Sequence, residues 1–160
     1  MTDLRNRIPP SGPFVVDTSS RPIIGTGGDQ SQAGDVVPPG TTTTLITLPL
    51  DTTGSQIGGA IMTFTTQVEL ASTAALAKCT FDFLVNDAPP PGTVPIGAIV
   101  QADASGAVPV VSVAFSGSFV MLPPGSYTLK VRCTTDANTT ATVNPGGTFS
   151  RTLLLFFFKV

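Results

Sequence analysis

The chain has 160 residues, a formal net charge of −2, 11% charged residues and no histidine, where an average globular protein is about 25% charged. A length of this order implies one domain with a sizeable core. The charge balance argues against nucleic acid or an anionic membrane surface as partner, and no apolar run approaches the ~20 residues that a membrane-spanning helix needs.

Residues 1–40 read as an extended N-terminal arm. They hold six of the fifteen prolines, and each proline removes a backbone donor and biases its predecessor to extended conformations. The stretch also carries apolar clusters, Phe14-Val15-Val16, Ile23-Ile24 and Val36-Val37, for which a plain linker has no use. It is expected to order against another surface. The opening MTDLRNRIPP has no apolar segment behind its two arginines, so no signal peptide is expected and synthesis in a cytoplasm is inferred.

From Thr41 the pattern turns to period two, and residues 41–160 read as one β domain. Thr41 to Leu50 forms a first strand. Ala60, Met62, Phe64, Thr66, Val68 and Leu70 then alternate with Ile61, Thr63, Thr65, Gln67 and Glu69, as a strand with one buried face does. Ala75 to Val85 repeats the pattern and is closed by NDAPPPG. Pro95 to Ala102 is a short apolar strand. Val111, Val113, Phe115, Gly117, Phe119 and Met121 share one face, opposite Ser112, Ala114, Ser116 and Ser118. LPPGSY turns into Tyr127 to Cys133, TTDANTTATV is a short polar strand, and a last strand starts near Thr148. No helix is credible; ELASTAALAK has neither cap nor stop. The expected fold is all-β: an antiparallel, jelly-roll-like β-sandwich of about eight strands behind the extended arm.

The inventory of chemistry is thin. Without histidine there is no nucleophile–histidine pair. Glu69, the sole Glu, faces outward among Thr and Gln, where a pair of catalytic carboxylates has no place. Asp87, Asp103 and Asp136 fall in turns, where Asp bonds nearby backbone. Cys79 and Cys133 are the only cysteines and both alternate inward, so they read as buried, reduced thiols. No cofactor, metal or catalytic residue is expected.

The final strand breaks the one-face rule. Leu153, Leu155 and Phe157 face one side, and Leu154, Phe156, Phe158 and Val160 the other. A buried Phe hides about 150–250 Å², so an uncovered second face would form a patch of the size that marks an interaction site. The arm, a sister subunit or a foreign protein would serve as cover. Sister subunits are the preferred reading, which makes Leu154, Phe156 and Phe158 the candidate subunit interface.

The Pro/Gly-rich leader, the Thr/Val/Ala-rich sandwich and the turn–strand pair FSGSFVMLPPGSYTLKVRC (Phe115–Cys133) together resemble small structural proteins of tailed bacteriophages. Head decoration, or cement, proteins are the nearest class. The resemblance implies a virion protein, made in the host cytoplasm and placed on the capsid surface. It implies a homotrimer that binds the major capsid protein, with an extended arm as clamp. The residues it would place in that arm contact are Arg5, Arg7, Pro9, Phe14, Val15, Val16, Arg21, Ile23 and Ile24. In such families the hairpin is architectural and carries no site. A rival reading is a trimeric tail-fibre or receptor-binding module. The absence of Trp and the inward Tyr127 weigh against it, because sugar sites usually want exposed aromatics.

Overall fold

The computed structural model describes residues 14–15, 34–53, 57–91, 96–145 and 151–159. Ten strands follow in order: β1 (Phe14–Val15), β2 (Asp35–Val37), β3 (Thr42–Asp51), β4 (Ile57–Ser72), β5 (Leu76–Val85), β6 (Gly97–Asp103), β7 (Val110–Leu122), β8 (Ser126–Thr135), β9 (Thr139–Val143) and β10 (Thr152–Lys159).

Their pairing is nested. The outermost strands β2 and β9 pair antiparallel, then β3 with β8, β4 with β7, and β5 with β6 at the tip. The chain from β2 to β9 is thus one long antiparallel ribbon. Two further pairings, β4 with β9 and β5 with β8, roll that ribbon into facing sheets, β2-β9-β4-β7 and β3-β8-β5-β6. This is the strand order of a jelly roll.

Two strands lie outside the roll. β1 adds in parallel to the edge of β3, opposite Leu50 and Asp51. β10 pairs antiparallel with residues 57–65 of β4, while β9 takes residues 68–72. Because β7 spans 57–69, it must hold one edge of β4, and β9 and β10 share the other in tandem.

The all-β sandwich expected from the periodicity is the fold observed. One strand of the roll precedes Thr41, where the alternation begins: β2 pairs with β9, and Val37 is fully buried. Its three residues are too few to display a period.

The two inner faces meet in one core. Phe64 stacks at a tilt on Phe81 (5.9 Å between centroids) and on Phe115 (5.2 Å), and Phe83 on Phe119 (5.7 Å). Offset aromatic pairs of this kind add about 0.5–1.5 kcal/mol beyond burial. Gly97 marks the tightest backbone approach: a Cβ there would lie 2.1 Å from the Phe81 carbonyl oxygen, so no other residue fits. Cys79 and Cys133 are buried and unlinked, as their inward alternation implies.

Buried threonines tie the ends of the strands. The Thr52 hydroxyl accepts from Gly125 N–H (3.0 Å) and lies within donating distance of the Gly125 and Pro123 carbonyls (3.0 and 3.1 Å), while its amide donates to Gly125 O (2.8 Å). It latches the β7–β8 turn to the end of β3. Tyr127 completes the same turn by donating to Pro123 O at 2.6 Å. The hairpin therefore has an architectural task. Thr139 Oγ1 similarly accepts from Lys78 N–H at 3.0 Å, tying β9 to β5.

Candidate functional site

The two outer faces of the sandwich differ in chemistry. On the β3-β8-β5-β6 sheet, Lys78, Asp82, Lys130 and Arg132 alternate outward between buried neighbours. Lys130 Nζ sits 2.7 and 2.9 Å from the Asp87 carboxylate oxygens. Asp87 was expected to bond nearby backbone. Its left-handed backbone (φ 63°), next to Asn86 (φ 50°), makes the tight turn after β5, and its carboxylate meets Lys130 of β8 instead. This face is charged and ion-paired, and Leu76 and Ile99 are exposed among its charges.

The opposite face carries β10. Its alternation is as expected on the inner side: Leu153 and Leu155 are fully buried and Phe157 nearly so. On the outer side Leu154 is 36% exposed and Phe156 half-buried. The Phe158 side chain lies outside the described residues, although its backbone pairs with Gly59. Register sets the neighbours. Phe156 is flanked by Ile61 and Ser118, Leu154 by Thr63 and Ser116, and Thr152 by Thr65 and Ala114. Ile61 is 41% exposed. These three rows contain no charge; the nearest along β4 are Glu69 at one end and Lys159, opposite Ile57, at the other.

The sequence alternation puts Ile61 outward, yet its juxtaposition with Phe156 needs the β4–β10 register, which no local signal carries. The arrangement offers apolar area and hydroxyls on the outer face of one sheet. It can bury surface against a partner, and it presents no acid–base pair, nucleophile or phosphate cradle.

Arg5, Arg7, Pro9, Val16, Arg21, Ile23 and Ile24 lie outside the described residues. Phe14 and Val15 form β1 at the edge of the other sheet, so those two are not brought together with the β10 face.

The remaining titratable groups have structural tasks. Asp136 is held below the usual carboxylate range chiefly by the Thr139 hydroxyl, Asp103 by the hydroxyl and then the amide of Ser105, and Asp51 by the amide and then the hydroxyl of Thr53. The Cys133 thiol is pushed far up by its hydrogen bond with Cys79, then by burial, and a thiol so placed is no nucleophile. Among the described residues no group of three or more His, Cys, Asp or Glu is placed to hold a metal ion.

No protein-family model and no curated protein matches the chain. Solved structures similar to it include three from infectious bursal disease virus. The Gx strain structure is 12% identical, with 94% of this chain and 42% of that chain covered and a TM-score of 0.40. The crystal structure of the VP2 subviral particle is 13% identical, with 94% and 43% covered and a TM-score of 0.35. The Gt strain structure is 15% identical, with 94% and 43% covered and a TM-score of 0.32. The chain spans less than half the length of each.

Proposed function

We propose that this chain is a non-enzymatic structural protein of a virion: a head decoration protein that assembles as a homotrimer on the outer surface of a tailed-phage capsid and stabilises it. The observation that carries the reading is the asymmetry of the sandwich. One outer face is charged and ion-paired, while the other presents Phe156, Leu154 and Ile61 in rows without charge. A rigid roll with one sticky face and a proline-rich leader suits a protein whose work is attachment. The β10 face joins subunits, and residues 1–33 reach the capsid, with Arg5, Arg7 and Arg21 pairing with capsid carboxylates. Three modest contacts held on one trimer then act as a single strong one.

The test is a decoration assay on shells that lack the protein, comparing the full chain with one lacking residues 1–33. The cut removes β1, which only adds to the edge of β3 outside the roll, and stops short of β2, which begins at Asp35 and belongs to it. The expected result is an unchanged fold and oligomer with sharply reduced occupancy. Equal occupancy at equal concentration would rule out the arm as the clamp, and failure of the full chain to bind any shell would rule out the decoration role.

A further inference from the structure

We propose that the free edge of β7 pairs with β7 of a second copy, antiparallel, across a twofold axis at Gly117. This contact is made by a strand edge and not by the outer face that Ser116 and Ser118 share with Leu154 and Phe156, and it does not depend on the virion reading.

Natural sheets blunt their edges with charge, proline, bulges or shortness. The other described edges here do so. β1 is two residues long, and the part of β3 that it leaves uncovered has a bulge between Thr44 and Ile46 and carries Pro49. β2 is three residues long and contains Asp35, β6 ends on Asp103 after seven residues, and β10 ends in a register shift at Lys159 after eight. β7 runs for 13 residues, VVSVAFSGSFVML, with no charge, no proline and an unbroken register against β4. Among the described residues no strand pairs with its other edge.

The hydrogen-bond phase says which amides are free. Leu70 N–H donates to Pro109 O at 3.0 Å, and the register Glu69↔Val110 sets these two residues opposite each other. In an antiparallel ladder hydrogen-bonded and non-bonded pairs alternate. Residues 111, 113, 115, 117 and 119 therefore bond to β4, while Val110, Ser112, Ala114, Ser116, Ser118 and Val120 turn their N–H and C=O away from it. On the other edge of β4, Asn144 N–H donates to Gln67 O at 2.7 Å, as the same phase requires.

The sequence of the strand is symmetric about that edge. Phe115-Ser116-Gly117-Ser118-Phe119 reads the same in both directions, and it is flanked by Ala114 and Val120, then Val113 and Met121. A twofold at Gly117 sets Ser116 against Ser118 of the partner subunit and Ala114 against Val120 of the partner subunit. Every such pair joins residues whose amides are free. A twofold between two residues would set free amides against used ones and form no ladder. Gly117 itself is required by the fold, because a Cβ there would come within 2.6 Å of the Ile96 side chain. Core packing accounts for Phe115 and Phe119, but the paired serines have no such local reason to be symmetric. An isologous contact is one that a self-complementary strand makes with its own copy.

Two measurements test this. In hydrogen exchange on the native full-length protein, the amides of Ser112, Ala114, Ser116 and Ser118 should exchange at least about tenfold more slowly at high than at low protein concentration. In sedimentation, Ser116→Lys with Ser118→Lys should halve the assembled mass, since like charges meet at both serine pairs. Ser116→Lys with Ser118→Glu should restore it, since opposite charges then meet. Both variants carry two new charges on the outer face, so their difference isolates the edge. Exchange of these amides that is fast, or slow but independent of concentration, would overturn the proposal, as would equal masses for the two folded variants.

Discussion

Replacing Ile61 and Leu154 together with Thr tests whether the uncharged face is an assembly surface. Thr keeps strand preference and continues the pattern of Thr63 and Thr65, so the sheet should survive. Fully burying a Leu or Ile side chain is worth about 1.5–3 kcal/mol. Leu154 is 36% and Ile61 41% exposed, so roughly 0.4 of that amount remains to be gained on assembly, about 0.5–1.2 kcal/mol each. The pair then contributes about 1–2.5 kcal/mol per face, which is about a fivefold to seventyfold change in dissociation constant.

The control removes similar side chains from the other outer face, Leu76→Thr with Ile99→Thr. These residues are 51% and 65% exposed and share their surface with Lys78, Asp82 and Lys130. Sedimentation equilibrium across a micromolar range should show weakened association for the first double variant and wild-type behaviour for the second. A wild-type protein that is monomeric throughout that range refutes the reasoning. So does a control that dissociates as readily as the Ile61/Leu154 variant.

Cys79 and Cys133 should resist a thiol reagent in the native protein and both label once it is unfolded without reductant; labelling at native rates would place them at the surface, and no labelling in denaturant would mean a disulfide. Thr52→Val keeps the shape of a fully buried residue but removes the hydroxyl that latches Gly125, so it should cost about 1–3 kcal/mol, read as a lower urea midpoint with an unchanged slope. The depressed carboxyls of Asp51, Asp103 and Asp136 stabilise the fold while ionised. Their contribution is therefore present above the ordinary Asp value near 4 and lost as pH falls through their lower folded values. Urea midpoints should be level from pH 7 to 5 and fall below about 4, less steeply in Asp136→Asn; a decline that begins above pH 5 would contradict this.

Strand positions were legible in the sequence because one-sided burial forces alternation, which Met62–Leu70, Ala77–Phe83 and Val111–Phe119 show, although Leu84 and Val85 at the end of β5 are both buried. Their pairing was not legible. β4 touches β7, β9 and β10, which lie tens of residues downstream, and the choice among them is made by the rolled ribbon as a whole. The candidate face was half legible for the same reason. Leu154 and Phe156 follow from local alternation, while the flanking Ile61, Thr63 and Ser116 follow from register. β2 was invisible as a strand because DVV has no period, and the Asp87–Lys130 pair because a turn's left-handed backbone decides where its carboxylate goes.

The least legible feature is the ion pair between Arg151 and Asp35, more than a hundred residues apart in the chain. The Arg151 side chain is 8% exposed and that of Asp35 35%. A pair this buried gains little over apolar packing of the same shape, and removing one partner is what costs, so its use lies in position. On the shared edge of β4, β9 ends opposite Val68 and β10 begins opposite Thr65. Only Thr66 and Gln67 lie between, and Asn144 N–H takes the Gln67 carbonyl. Arg151 stands at the start of β10, and Asp35 at the start of β2, which pairs with β9. Their contact closes the seam between the roll and its added strand. It also holds the start of β2 in the sheet whose outer face carries Leu154 and Phe156. An apolar pair could hold the same two strands together, but it would set their register less narrowly, since a carboxylate and a guanidinium must meet at one point.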